Sequence, residues 1–240
     1  MNLKHIIQSI TGYWLHKQST LPIGIDFFYD IIKRLKYGKL SIVFDVGANE
    51  GQTVKWIRHY QAEAKIYSFE PVLSSFRKLQ ENTKGQKDII VENLALGDQA
   101  GQKIIRLFDD YSVLNSLRDD LMNNKINARE ETISIETIDA YCEKNTISQI
   151  DLLKIDTEGF EMNVLKGAQK MLDSGSISLI YAEVGFQQLN TRNTYFADIA
   201  EFLSDKDYYF YGLYQLSDHD WIKGNYFGNA LFIKKDLFKS

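Results

Sequence analysis

Short apolar runs alternate along this chain with stretches whose apolar residues fall at helical spacing. Residues 41–46, 65–69, 88–94, 150–155 and 178–183 read as buried strands, each too short for a helix and bounded by turn residues. Between and after them, 52–60, 72–82, 138–144, 158–172 and 195–204 read as helices. Two more strands, 103–108 and 132–136, bracket a polar, irregular segment at 109–131. The chain closes on two strand-like runs, 208–214 and 227–234, with a polar loop and no helix between them. Strands alternating with helices imply a mostly parallel sheet covered on both faces, and the final pair implies an antiparallel edge. The expected fold is a doubly wound α/β domain with a β-hairpin finish.

Upstream of the first strand, Leu3, Ile6, Ile7, Ile10 and Trp14 share one helical face, and a second helix is expected near 24–37. This divides the chain into an N-terminal helical appendage, 1–40, and a main domain, 41–240. Charge follows the same division. The first 40 residues hold six basic and two acidic side chains, net +4, leaving −8 for the rest. The opening helix therefore packs on the body or a partner subunit, or else touches an anionic membrane surface.

Composition narrows the function classes. At 240 residues the chain can bury a full core. With 28 basic against 32 acidic side chains, nucleic acid is not an expected partner. One cysteine, Cys142, excludes an intramolecular disulfide and a cysteine-clustered zinc site. No apolar run reaches membrane-spanning length, and no secretory signal is evident. A soluble protein of a reducing cytoplasm is the expectation.

Ligands of doubly wound sheets bind beyond the carboxyl ends of the strands. The first strand ends Val43-Phe44-Asp45-Val46-Gly47-Ala48-Asn49-Glu50-Gly51. A dinucleotide fingerprint needs glycine at 47, 49 and 52, but Asn49 and Gln52 stand at the last two positions, and no Gly-Lys-Ser/Thr follows. Phosphate cradling is disfavoured. The second strand ends in Glu70-Pro71, with Glu70 19 residues beyond Gly51, close to the spacing at which an acid accepts ribose hydroxyls. Strand three ends Asn93-Leu94-Ala95-Leu96-Gly97-Asp98, a turn suited to bordering an adenine. A ribose site without phosphate recognition suits a cationic nucleoside cofactor, and S-adenosylmethionine meets that description.

The first motif also closely resembles the opening motif of class I methyltransferases. The run Leu152-Leu153-Lys154-Ile155-Asp156-Thr157-Glu158-Gly159-Phe160-Glu161, followed by Val164-Leu165-Lys166-Gly167-Ala168, resembles the hallmark of the FkbM methyltransferase family. Glu70-Pro71 and 93–98 sit at the right intervals between them, and 229–232 adds weaker similarity. The resemblance implies a Rossmann-like seven-stranded sheet, mostly parallel with an antiparallel C-terminal strand. It also implies O-methylation, often of sugar hydroxyls in glycans or natural products. On this chain Gly47, Ala48, Asn49 and Gly51, with Asp45 before them, would hold the methionine moiety. Glu70 and Pro71 would bind the ribose end, Asn93 and Ala95 would border the adenine, and Asp156 would face donor and acceptor.

Asp156 is the first candidate base for the acceptor hydroxyl, with Glu183 and His219 behind it. Glu161 reads as a helix-start charge, favourable at the N-terminal dipole. Asp156 with Glu158 or Glu183 could form a hard-oxygen divalent-ion site, which spacing alone does not favour. Tyr208-Tyr209-Phe210-Tyr211 and Trp221 could stack on sugar rings, though strand alternation assigns one face of the run to the core. Ser112, Asn115 and Ser116 sit over the expected pocket mouth, where closure of 109–131 would exclude water. A nucleotide-sugar or NAD-linked enzyme and a non-catalytic binding protein on the same fold remain as alternatives. The expected partner is a small-molecule or glycan acceptor, with peripheral membrane contact at the inner face through residues 1–40 as a second possibility.

Overall fold

The structure, a computed structural model, describes residues 3–13, 16–107, 129–188, 192–217 and 226–238. Helix α1 (Leu3–Thr11) is followed by α2 (Phe27–Tyr29), which runs on as a π-helical turn, Asp30–Arg34. Asp26 starts α2 by accepting the Tyr29 amide at 2.9 Å. The alternating body then reads β1 (Ile42–Val46), α3 (Gln52–Tyr60), β2 (Lys65–Phe69), α4 (Leu73–Asn82), β3 (Ile89–Glu92), β4 (Ala95–Leu96), β5 (Gly101–Leu107) and β6 (Arg129–Glu136). It continues through α5 (Ile138–Lys144), β7 (Ile150–Ile155), α6 (Glu161–Lys166), α7 (Gln169–Asp173), β8 (Ile177–Gly185), α8 (Phe196–Ser204), β9 (Tyr208–Tyr214) and β10 (Phe227–Lys234).

Seven strands form one sheet in the order β3-β2-β1-β7-β8-β10-β9. All neighbouring pairs from β3 to β8 are parallel, whereas β10 runs antiparallel to both β8 and β9. The doubly wound, mostly parallel sheet with one antiparallel C-terminal strand is thus present. That strand inserts between β8 and β9 and leaves β9 at the edge.

Two features depart from the expected elements. β5 and β6 pair antiparallel, and with β4 they build a separate three-stranded sheet. The helix expected over 158–172 is broken into α6 and α7 at Gly167. A Cβ there would lie 2.0 Å from the Gly97 carbonyl oxygen, so only glycine allows this approach. The second piece is restarted by Asp139, whose carboxylate accepts the Lys170 and Met171 amides at 2.9 and 3.1 Å.

Each sheet face carries its own core. One joins Phe44, Leu153 and Ile180 to α5–α8 residues such as Tyr141, Val164 and Ile199; the other joins Val43, Leu152 and Leu179 to Phe27, Phe28, Ile31 and Leu40. A third cluster, with Ala95, Ile105 and Phe160, lies under the small sheet. The residues before 41 therefore do not behave as one appendage. Residues 27–40 share the body's core, while Ile6, Ile7 and Ile10 of α1 belong to none of the three clusters.

Phe28, 1% exposed, stacks on Tyr60 at 4.1 Å and meets Trp56 at 4.7 Å. Phe28→Ala is expected to cost about 3–5 kcal/mol in urea unfolding, as for other large buried side chains. A loss below about 1 kcal/mol would make 1–40 separable from the domain.

Candidate active site

The carboxyl ends of β2, β1, β7 and β8 stand side by side, and the chain's strand-end acids meet there. After β1 the amides of Gly47 and Ala48 both donate to the Phe69 carbonyl at 3.0 Å, binding the turn to the end of β2. Gly47 has φ 78°, and a Cβ on it would fall 1.8 Å from the Asp156 carbonyl oxygen. The turn after β1 thus lies directly against the end of β7, at a distance that only glycine permits.

Glu70, 6% exposed, accepts the Asn49 amide on one carboxylate oxygen and the Val72 amide on the other, both at 2.9 Å. Burial pushes its carboxyl up to about 7, although both amides favour the charged form. Asn93 ties the third strand end to the second, donating to the carbonyls of Glu70 at 3.0 Å and Pro71 at 2.7 Å.

A cleft of about 270 Å³ follows this sheet edge. Gly47, Asn49, Glu70, Pro71 and Ala95 line it, together with Ile105 of the small sheet. So do Asp156, Glu158, Glu183 and Arg192. Asp45, Ala48, Gly51 and Asn93 are not among the lining residues. Asp45 is wholly buried behind the turn, Ala48 is buried by its bond to β2, and Gly51 caps α3. Their contribution is to the shape of the turn rather than to its open surface.

Lys154, which strand-end reasoning passes over because it lies inside β7, holds these strand ends together. Parallel register sets it opposite Asp45, and the alternation of β7 puts it on the same side as Asp156. Its ammonium lies 3.2 Å from Asp45, 3.4 Å from Asp156 and 3.3 Å from the Gly47 carbonyl oxygen. Burial works to lower its pKa, but the charges of Asp156 and Asp45 outweigh it and the net shift is upward. Asp45 shifts upward too, because burial exceeds the help of Lys154.

Glu161 is fully buried and closes the loop that leads into α6. One oxygen accepts the Thr157 and Gly159 amides at 3.0 Å, and the other accepts the Thr194 amide at 3.1 Å. Glu158 and Arg192 form a bidentate ion pair across the cleft. Glu183 accepts from the Asn193 side-chain amide. Burial first, and then the charges of Asp156, Glu158 and Glu161, push its carboxyl up to about 9. Asp156, Glu158 and Glu183 each offer an oxygen within 4.8 Å of the others. Such a donor set suits a hard cation, but Arg192 already brings positive charge to Glu158 and Asn193 already donates to Glu183. Arg192 and Asn193 lie in a loop with no sequence pattern that marks them. His219 and Trp221 fall within 218–225, and Ser112, Asn115 and Ser116 within 108–128, outside the described residues.

The model of the methyltransferase FkbM domain matches residues 45–210, well over half of the chain. The chain belongs to the FkbM methyltransferase family. The 2-O-methyltransferase NoeI of Sinorhizobium fredii is 23% identical over 159 residues, covering 62% of this chain and 65% of its own. The 31-O-demethyl-FK506 methyltransferase FkbM of Streptomyces tacrolimicus is 26% identical over 171 residues, covering 60% of this chain and 65% of its own. The chain thus spans just under two thirds of the length of these relatives. Among solved structures, M. capricolum TrmK with S-adenosyl-homocysteine aligns at TM-score 0.44 and 11% identity, over 85% of this chain and 67% of that one.

The methyl donor of an FkbM-family domain is S-adenosylmethionine, and the residues present fit it. Glu70 offers a carboxylate at the end of β2 for ribose hydroxyls. Gly47 and Asn49 of the turn line the same cleft, and Pro71 and Ala95 supply apolar surface there.

Proposed function

We propose that this protein is an O-methyltransferase acting on a hydroxyl group of a sugar, glycan or natural-product acceptor in a reducing cytoplasm. The observation that carries this reading is the single cleft joining Glu70 and the glycine turn to Asp156, Glu183 and Arg192. Two relatives whose names specify methylation at a numbered oxygen support the choice of oxygen as acceptor atom.

When bound, S-adenosylmethionine supplies a sulfonium methyl that an oxygen nucleophile takes by direct displacement. The protein's part is chiefly alignment. Gly47 and Asn49 would hold the methionine end and Glu70 the ribose, and Ala95 would border the adenine. Asp156, held beside the Lys154 ammonium, takes the acceptor's proton as the new C–O bond forms. Glu183, whose carboxyl is pushed upward by burial and the neighbouring acids, lies in the same cleft, where it can hydrogen-bond the acceptor. Arg192 fixes Glu158 at the cleft wall.

Calorimetric titration with S-adenosylmethionine tests the cofactor half. Glu70→Ala is expected to weaken binding by about tenfold or more, since a charged acceptor of two hydroxyl bonds is lost. The ribose bonds need the ionised carboxylate, whose proton leaves near pH 7. Affinity should therefore fall as pH drops below about 7 and level off above it, and Glu70→Gln should abolish this dependence. Absence of binding by folded protein would overturn the cofactor site. Label transfer from methyl-tritiated donor to a panel of sugars tests the acceptor half. A methyl ether resists mild base, so base-labile product would overturn O-methylation of a hydroxyl.

A further inference from the structure

We propose that α1 lies in the surface of an anionic phospholipid bilayer and docks the enzyme there. The inference is independent of the acceptor reading. Ile6, Ile7 and Ile10 share one side of the nine-residue helix, and its other positions from His5 onward are polar. Ile10 is 77% exposed and Ile7 37%, and no core cluster includes any of the three. The chain that follows keeps the same character: Tyr13, Ile23 and Ile25 are also exposed. Five large apolar side chains in solvent within 19 residues contrast with residues 27–40, which bury theirs in the body.

Charge selects the occupant. Residues 1–25 contain no aspartate or glutamate, in a chain with 32 of them, and they carry Lys4, Lys17, His5 and His16. Residues 1–25 are net +2 against −6 for the remainder, so an anionic surface attracts this end and repels the other. An apolar stripe flanked by cations and no anions is the chemistry of an interfacial helix, and a tyrosine fits at headgroup depth. A second copy of the chain fits less well. A nine-residue helix is only about 14 Å long, and the five exposed apolar side chains of residues 7–25 fall short of the roughly 800 Å² per partner of a stable interface. Among the described residues no helix is long and apolar enough to cross a membrane, so α1 lies on the bilayer and does not span it.

The test uses the full chain, co-sedimented with vesicles of phosphatidylcholine alone or of equal parts phosphatidylcholine and phosphatidylglycerol. Wild type should bind the anionic vesicles at least about tenfold more tightly than the neutral ones, with binding weakened by salt. Ile7→Glu with Ile10→Glu should remove at least about tenfold of that affinity. Both positions lie outside the core, so the circular dichroism spectrum and S-adenosylmethionine binding should stay as in wild type. Equal binding to both vesicle types, or binding unchanged by the double variant, would overturn the proposal. So would light scattering showing a wild-type dimer that the double variant converts to monomer, because α1 would then be covered by a second copy.

Discussion

Lys154→Met is expected to lower folding stability by about 3–5 kcal/mol, the loss typical when one partner of a buried ion pair is removed. The ammonium serves Asp45, wholly buried at the end of β1, and Asp156, at the end of β7. Without it, two carboxylates confront one another across the β1–β7 pair, and Asp45 has lost the countercharge that permits its ionisation.

The sign of the pH dependence follows. Asp45 already binds its proton more tightly in the folded state than a free aspartate does. Removing Lys154 raises its pKa further. A raised carboxyl contributes fully below its unfolded pKa and loses that contribution as pH rises through the folded value. The deficit of Lys154→Met should therefore be largest at neutral and alkaline pH and shrink on acidification. Urea unfolding across the pH range checks this, and adding Asp45→Asn to the variant should recover part of the loss at neutral pH. A deficit independent of pH and of Asp45 would assign Lys154 to packing alone.

Gly47→Ala should act on catalysis more than on folding. Its φ of 78° costs a non-glycine residue about 1–3 kcal/mol, and the new Cβ would stand 1.8 Å from a backbone oxygen of Asp156. Backbone atoms offer no flexible end to swing aside. The turn after β1 and the end of β7 must separate, and they carry the proposed donor contacts and the candidate base. A misplacement of about 1 Å commonly costs about a hundredfold in rate, so methyl transfer should fall by about that factor, with weaker donor binding. Gly85→Ala is the control. Gly85 shares a positive φ of 81°, but a Cβ added there meets nothing within 4 Å, so this change should cost only the same backbone strain, about 1–3 kcal/mol, and leave transfer unchanged. Equal effects at the two glycines would mean that the close approach at Gly47 is irrelevant to the site.

The order and kind of nearly every element of the large sheet are legible in the chain alone, because periods of 2 and 3.6 residues are written locally. So are the strand-end positions of Glu70 and Asp156, since in a parallel sheet the carboxyl ends share one edge; Glu183, expected to end its strand, lies inside β8, which pairing with β10 carries on to Gly185. What those residues meet is set by long-range packing. Lys154 faces Asp45 because β7 pairs with β1 in one particular register, across more than a hundred residues. Arg192 reaches Glu158 because the chain at 192–195 returns to the end of β8, where the Gly185 amide donates to the Thr194 carbonyl. The break at Gly167 is invisible to helical periodicity, because the Gly97 carbonyl packed against it comes from 70 residues away in the chain. The small sheet is equally hidden, since isolated strands do not announce their partners. The first forty residues show the same limit: two amphipathic segments read alike, and only packing separates the one buried on Trp56 and Tyr214 from the one left in solvent. Local pattern states that a face is apolar; what covers it depends on chain that is distant in sequence or on a partner outside the chain.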